Sequence, residues 1–199
     1  MKMEQRMAMF GATFIGAVKK GITAIVLLLS CGLGARAFGQ QDVHAALVPI
    51  ATRVTAPDFS LADATGKSVG LSTYRGKVVL LNFWATPCGG CLLEIPNFVA
   101  MQTELKGEGF TVVGISMDTS YEKLKTADEA WASVKPFVAQ HKMNYPILMG
   151  DSSLLATYKV AGLPVTYLID KSGRTAAVYG GVVNKDDVAA NMKALLAER

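Results

Sequence analysis

Two cysteines, Cys88 and Cys91, stand with only Gly89 and Gly90 between them, where the apolar run Leu80-Leu81-Asn82-Phe83-Trp84-Ala85 gives way to a helical pattern. Thiols at this spacing can close a small disulfide. A thiol at a helix N-terminus is also pushed toward thiolate by the helix dipole and the free N–H groups of the first turn. Thiolate is the species that attacks a disulfide, so thiol–disulfide exchange is the chemistry the pair is suited to.

The other uses of such a pair fit less well. A structural disulfide normally joins distant segments and gains from closing a long loop, whereas a bridge across two residues restrains almost nothing. Half of a zinc site needs further ligands. There is no second Cys-x-x-Cys, and the only histidines are His44 and His141. The third cysteine, Cys31, lies in the leader described below.

The elements that must hold the pair alternate between strand and helix, which implies an α/β domain with a mixed sheet flanked by helices. Lys77 to Trp84 reads as a buried strand, and Cys91 to Glu104 as a helix kinked at Pro96. Phe110 to Met117 reads as a second buried strand, Glu129 to His141 as a helix, and Ser152 to Tyr158 as a short helix. Val165 to Asp170 and Thr175 to Gly181 form a hairpin about Lys171-Ser172-Gly173-Arg174, and Lys185 to Glu198 is the closing helix.

Charge is divided along the chain. Of 199 residues, Met1 to Gly39 carry five Lys or Arg and one acid, and Gln40 onward carries fifteen of each sign. The folded part is therefore near neutral, without the basic footprint of a nucleic-acid or anionic-membrane binder. The basic segment reads as an export leader: Lys19 and Lys20 precede the apolar stretch Ile22 to Leu29, and small residues follow. Two cleavage sites fit, after Ala35-Arg36-Ala37 and after Ala37-Phe38-Gly39; the second is preferred because Gln40, where the mature chain would start, begins a polar stretch. Retention of Gly21 to Ala37 as an anchor, short of the about 20 residues a span requires, and lipidation at Cys31 are the alternatives. Met9 is a plausible start. The expected organisation is a signal peptide or anchor over 1–39, a linker over 40–54 and one domain over 55–199.

In several places the chain resembles the thioredoxin superfamily, and within it the exported thiol-disulfide oxidoreductases of the TlpA/ResA type. The resemblance rests on Ala56-Pro57-Asp58-Phe59, Phe83-Trp84-Ala85-Thr86, Cys88-Gly89-Gly90-Cys91, Glu94-Ile95-Pro96 and Gly162-Leu163-Pro164-Val165-Thr166. It implies a thioredoxin fold with an N-terminal extension and a central strand and helix insertion between the Phe110 and Tyr145 strands. Cys88 would be the exposed attacking thiolate and Cys91 the resolving one. Pro164 would match the family's cis-proline opposite the cysteines, with the Leu163 backbone free to pair with an incoming peptide. Trp84 and Pro87 would complete the substrate-contacting set, and no cofactor is implied. The partners implied are protein disulfides or dithiols, a membrane thiol-electron donor and, as a client, apocytochrome c; the place is the periplasm or the outer face of the cytoplasmic membrane.

Departures from the family pattern matter to the chemistry. Asn82 stands where thioredoxins carry a buried aspartate, and it cannot accept a proton. Glu94, one helical turn beyond Cys91, is then the nearest base in sequence for deprotonating the resolving thiol, a role the resemblance also implies. Pro87 replaces the tryptophan common before the first cysteine, removing an aromatic surface and an N–H. Gly90 replaces the proline of the thioredoxin turn, leaving the reduced turn less restrained. The direction of electron flow is therefore not legible, although the family favours reduction.

Two other classes fit the spacing less well. A peroxiredoxin-like peroxidase needs Thr three residues before its cysteine, but Thr86 is two before Cys88. A copper chaperone of related type uses a wider cysteine spacing and a distant histidine, for which only His141 is on offer.

Overall fold

A computed structural model describes residues 42–198. Its centre is β3 (Val78–Trp84), seven residues all buried. A strand so uniformly apolar suits only the middle of a sheet covered on both faces. There β3 pairs in parallel with β4 (Phe110–Ser116) and antiparallel with β6 (Val165–Ile169). With β5 (Ile147–Met149) beyond β4 and β7 (Thr175–Gly180) beyond β6, the sheet order is β5-β4-β3-β6-β7. A separate two-stranded hairpin, β1 (Ser60–Ala62) with β2 (Ser68–Gly70), precedes it; its three-residue strands are too short to carry a periodic signal, so this pair is absent from the sequence reading.

Alternation along β3 sorts the core into two layers. Val78, Leu80 and Trp84 face α1 (Gly89–Leu105), α3 (Ala127–Gln140) and α5 (Lys185–Ala197), packing with Ile95, Phe98, Trp131, Val134, Val188 and Met192. Val79, Leu81 and Phe83 face the opposite side, with Leu71, Leu154 and Tyr158. The expected central insertion is the stretch from α2 (Asp118–Tyr121) through α3 to β5, a crossover that sets β5 parallel to β4. A further short helix, α4 (Ser152–Thr157), leads toward β6. Helix α1 begins two residues earlier than expected and runs through Pro96 as one element.

Residues 40–54 were expected to form a linker. From Val43 onward they instead belong to the domain. Val43 N–H donates to the Val182 carbonyl at 2.7 Å, and Asn184 N–H donates to the Val43 carbonyl at 2.9 Å. The Arg53 side chain is buried against Asp170 at 3.2 Å and Glu198 at 2.6 Å. Polar composition suggested a spacer, but backbone pairing with segments about 140 residues away leaves no local pattern to read. The leader features, including Lys19, Lys20 and Cys31, lie outside the described residues. No helix among the described residues is long and apolar enough to cross a membrane.

Candidate redox site at the start of helix α1

The buried central strand β3 delivers the chain to the end of the sheet where β3 and β4 finish, and α1 starts after a short turn. Cys88 is the N-cap of that helix: its Sγ accepts a hydrogen bond from the Cys91 N–H at 3.2 Å. The two sulfurs are bonded, with the Cα atoms 5.3 Å apart. When this bond is reduced, a sulfur capping an α-helix faces the N–H donors and the positive end of the helix dipole, an environment that stabilises thiolate. The neighbouring Gly89 presents open space where a side chain would stand.

Exposure differs from expectation. In the disulfide state Cys88 is 6% exposed and Cys91 1%, so the attacking sulfur is only slightly more open than the resolving one. Pro87 is exposed beside Cys88. Trp84, expected to contact substrate, is fully buried and stacks on Phe137 with ring centroids 5.2 Å apart. A strand covered on both faces has no outward residue, so proximity to the cysteines in sequence did not put Trp84 on the surface.

The antiparallel pairing of Phe83 with Val165 brings the start of β6 to the edge where β3 ends. Pro164, immediately before β6, is buried and its peptide bond with Leu163 is cis. Leu163 is half-buried and lines two clefts of about 300 Å³, one of them shared with Met117, the N-cap of α2, and with Ser120 and Tyr121 at its end.

Glu94 lies three residues beyond Cys91 on α1, one turn along the same face, and is 1% exposed. Its Oε1 accepts from the Val183 N–H at 2.8 Å and its Oε2 from Asn82 Nδ2 at 3.3 Å. Asn82 also donates to Thr166 Oγ1 at 3.0 Å. Burial pushes the Glu94 carboxyl up to about 7; the Val183 and Asn82 hydrogen bonds pull it down, and the charge of Asp42 adds to the rise. Asn82 thus occupies the place of a buried acid while holding a carboxyl that arrives from the helix.

Asp118 was not anticipated. Fully buried, it accepts from the Thr86 N–H at 3.1 Å, from the Thr86 hydroxyl, and from Ser116 Oγ at 2.7 Å. It ties the residues just before Cys88 to the end of β4. An acid directly after an apolar strand that ends at the same sheet edge was the available signal. Replacing Asp118 with alanine orphans several buried donors and is expected to cost about 3 kcal/mol, read as a lowered urea midpoint with an unchanged slope. A midpoint equal to the parent's would show that the loop before Cys88 is held by other contacts.

A central mixed sheet, a cis-proline loop and a disulfide capping the helix after the central strand together define a thioredoxin-fold thiol-disulfide oxidoreductase. The chain belongs to the AhpC/TSA family, whose sequence model matches residues 52–189. It is similar to the thiol-disulfide oxidoreductase ResA of Bacillus subtilis (strain 168), at 31% identity over 164 residues, covering 82% of this chain and 85% of that protein. ResA of Geobacillus kaustophilus (strain HTA426) matches at 30% over 174 residues, covering 87% of this chain and 93% of the relative. Among solved structures, a putative thiol:disulfide interchange protein DsbE from Chlorobium tepidum superposes with a TM-score of 0.62 at 30% identity, covering 73% of this chain and 97% of that one. A secreted thiol-disulfide isomerase from Corynebacterium glutamicum gives 0.66 at 26%, covering 78% and 93%.

Proposed function

We propose that this protein is an exported reductant of protein disulfides, with residues 1–39 as leader or anchor and Cys88 as the attacking thiol. The observation that carries this reading is the placement of Cys88 Sγ at the N-cap of α1, bonded to Cys91, with a buried carboxyl one turn further on. Cys88 thiolate attacks one sulfur of a client disulfide, forming a mixed disulfide and releasing the other client sulfur as thiolate. Cys91 then gives its proton to ionised Glu94 and attacks Cys88 Sγ. The second client thiolate leaves, two electrons have passed to the client, and the Cys88–Cys91 disulfide remains.

Leu163, Pro164 and Pro87 form the contact surface for the client backbone in this reading, supported by their convergence on the edge where β3 ends. Export is supported by the leader pattern and by similarity to a protein described as secreted. A membrane thiol donor would restore the dithiol, and an apocytochrome c with oxidised haem-binding cysteines is the client the family suggests.

The test is the redox midpoint of the Cys88–Cys91 pair in the full chain, read by thiol alkylation across defined thiol buffers. A midpoint at or below the about −270 mV of thioredoxin supports the reductase. A midpoint near the about −120 mV of a strong oxidant would reverse the direction and make the protein a disulfide donor.

A further inference from the structure

Behind the disulfide, on the face of the sheet that carries α1, two polar atoms are buried without a hydrogen-bond partner among the described residues: Trp84 Nε1 and the Tyr145 hydroxyl. Buried donors are rarely left unpaired, and a site lined by several such groups is where an ordered water belongs. Both side chains close on one spot. A Cβ built on Gly114 would lie 2.7 Å from Ile147 Cδ1, 3.0 Å from Trp84 Nε1 and 3.3 Å from Tyr145 Cε2. Gly114 is the β4 partner of Asn82, so this spot is the ladder position beside the amide that holds Glu94 Oε2 at 3.3 Å. Paired residues in a sheet project to the same face. The space that a side chain at position 114 would fill is thus shared by the Ile147 methyl, an indole N–H and the edge of a phenol ring, beside the amide that holds a buried carboxyl.

Tyr145 also looks the other way. It lines a cleft of about 530 Å³ between the β1–β2 hairpin, α3 and β5, together with Tyr74, Trp131, Lys135 and Ile147. Its hydroxyl oxygen is nevertheless buried, so the residue lines the cleft while its polar end lies in the interior.

We propose that Tyr145 is a positioning residue for Glu94: through a water held jointly with the Trp84 N–H, its hydroxyl hydrogen-bonds to the carboxylate that takes the proton from Cys91. The inference rests on the reading of Glu94 as the base for Cys91. The titratable groups that face Glu94 are Cys91 on α1, Asp42 from the N-terminal stretch and Tyr145 from the turn before β5. Burial raises the Tyr145 phenol above its ordinary value, so it remains a proton donor throughout the range in which Glu94 titrates. The proton leaving Cys91 rests on Glu94, and the phenol keeps its own proton throughout.

The test is a carbon-detected titration of the Glu94 carboxyl in the oxidised full-length chain, where the cysteines do not titrate, comparing the parent with Tyr145→Phe. The substitution removes only the hydroxyl, and a matching thermal melt shows the fold retained. Loss of a donor to the ionised form should move the Glu94 midpoint upward by about half a pH unit or more. The pH profile of mixed-disulfide resolution should move with it, and Tyr145→Phe should change nothing further when added to Glu94→Gln. An unmoved Glu94 midpoint overturns the inference, whatever the rate does. If Glu94→Gln leaves resolution unchanged at every pH, the role of Glu94 as base falls instead, and the titration still reports whether the phenol and the carboxyl are coupled.

Discussion

Cys88→Ser is expected to abolish all measurable disulfide exchange, whereas Cys91→Ser should stop the reaction halfway, with the client held as a stoichiometric mixed disulfide. The asymmetry follows from position. Cys88 caps α1 and receives the Cys91 N–H at 3.2 Å, so its sulfur alone gains thiolate character from the helix end. A serine hydroxyl in that position does not ionise near neutral pH and cannot replace sulfur in attack on a disulfide. Cys91 is more deeply buried, at 1% exposure, and can meet only a sulfur already attached to Cys88. Non-reducing electrophoresis with a scrambled protein substrate reads both outcomes. Trapping by Cys88→Ser and not by Cys91→Ser would exchange the two roles.

The second large effect concerns Glu94→Gln, which separates two consequences of one buried carboxyl. Its proton affinity rises on folding from the ordinary 4.5 to about 7 because burial disfavours the charge. The folded chain then binds more protons than the unfolded chain between those values. Stability accordingly falls as pH climbs through that interval and stays reduced above it. Glutamine carries no such charge. The variant should match the parent below about pH 4 and exceed it by about 3 kcal/mol above about pH 8, measured by urea unfolding of the oxidised proteins. Exchange should meanwhile slow by about a hundredfold, the scale of a lost general base, with its pH dependence near neutrality flattened. Parallel stability curves for the two proteins would mean that the carboxyl is ionised as readily inside as outside. An unchanged rate would remove Glu94 from the chemistry.

Much of this site was legible in the sequence because its parts are local. An apolar run broken by two nearby cysteines places a strand, a turn and a helix start within a dozen residues, and Glu94 follows one turn on. Leu163-Pro164 was readable through the family resemblance alone, since nothing in its own neighbourhood marks the peptide bond. The parts that were missed depend on pairing between distant segments. Asp118 matters because β4 ends beside β3, and Tyr145 because Gly114 leaves room for it. Val183 contributes only its backbone N–H, which no residue type announces. Trp84 was misplaced for a related reason: inward and outward positions cannot be told apart along a strand that is covered on both faces.

The pairing around Val183 also bears on where the working unit begins. Its N–H reaches Glu94, while the carbonyl before it and the N–H after it are both engaged by Val43. Val43 thus acts as a splint across the residue that steadies the proton acceptor. The recognisable family segment starts only at residue 52. A version trimmed to that boundary would keep both cysteines and the entire sheet yet lose the splint, so the smallest piece that still looks like the enzyme is shorter than the smallest piece built to work as one.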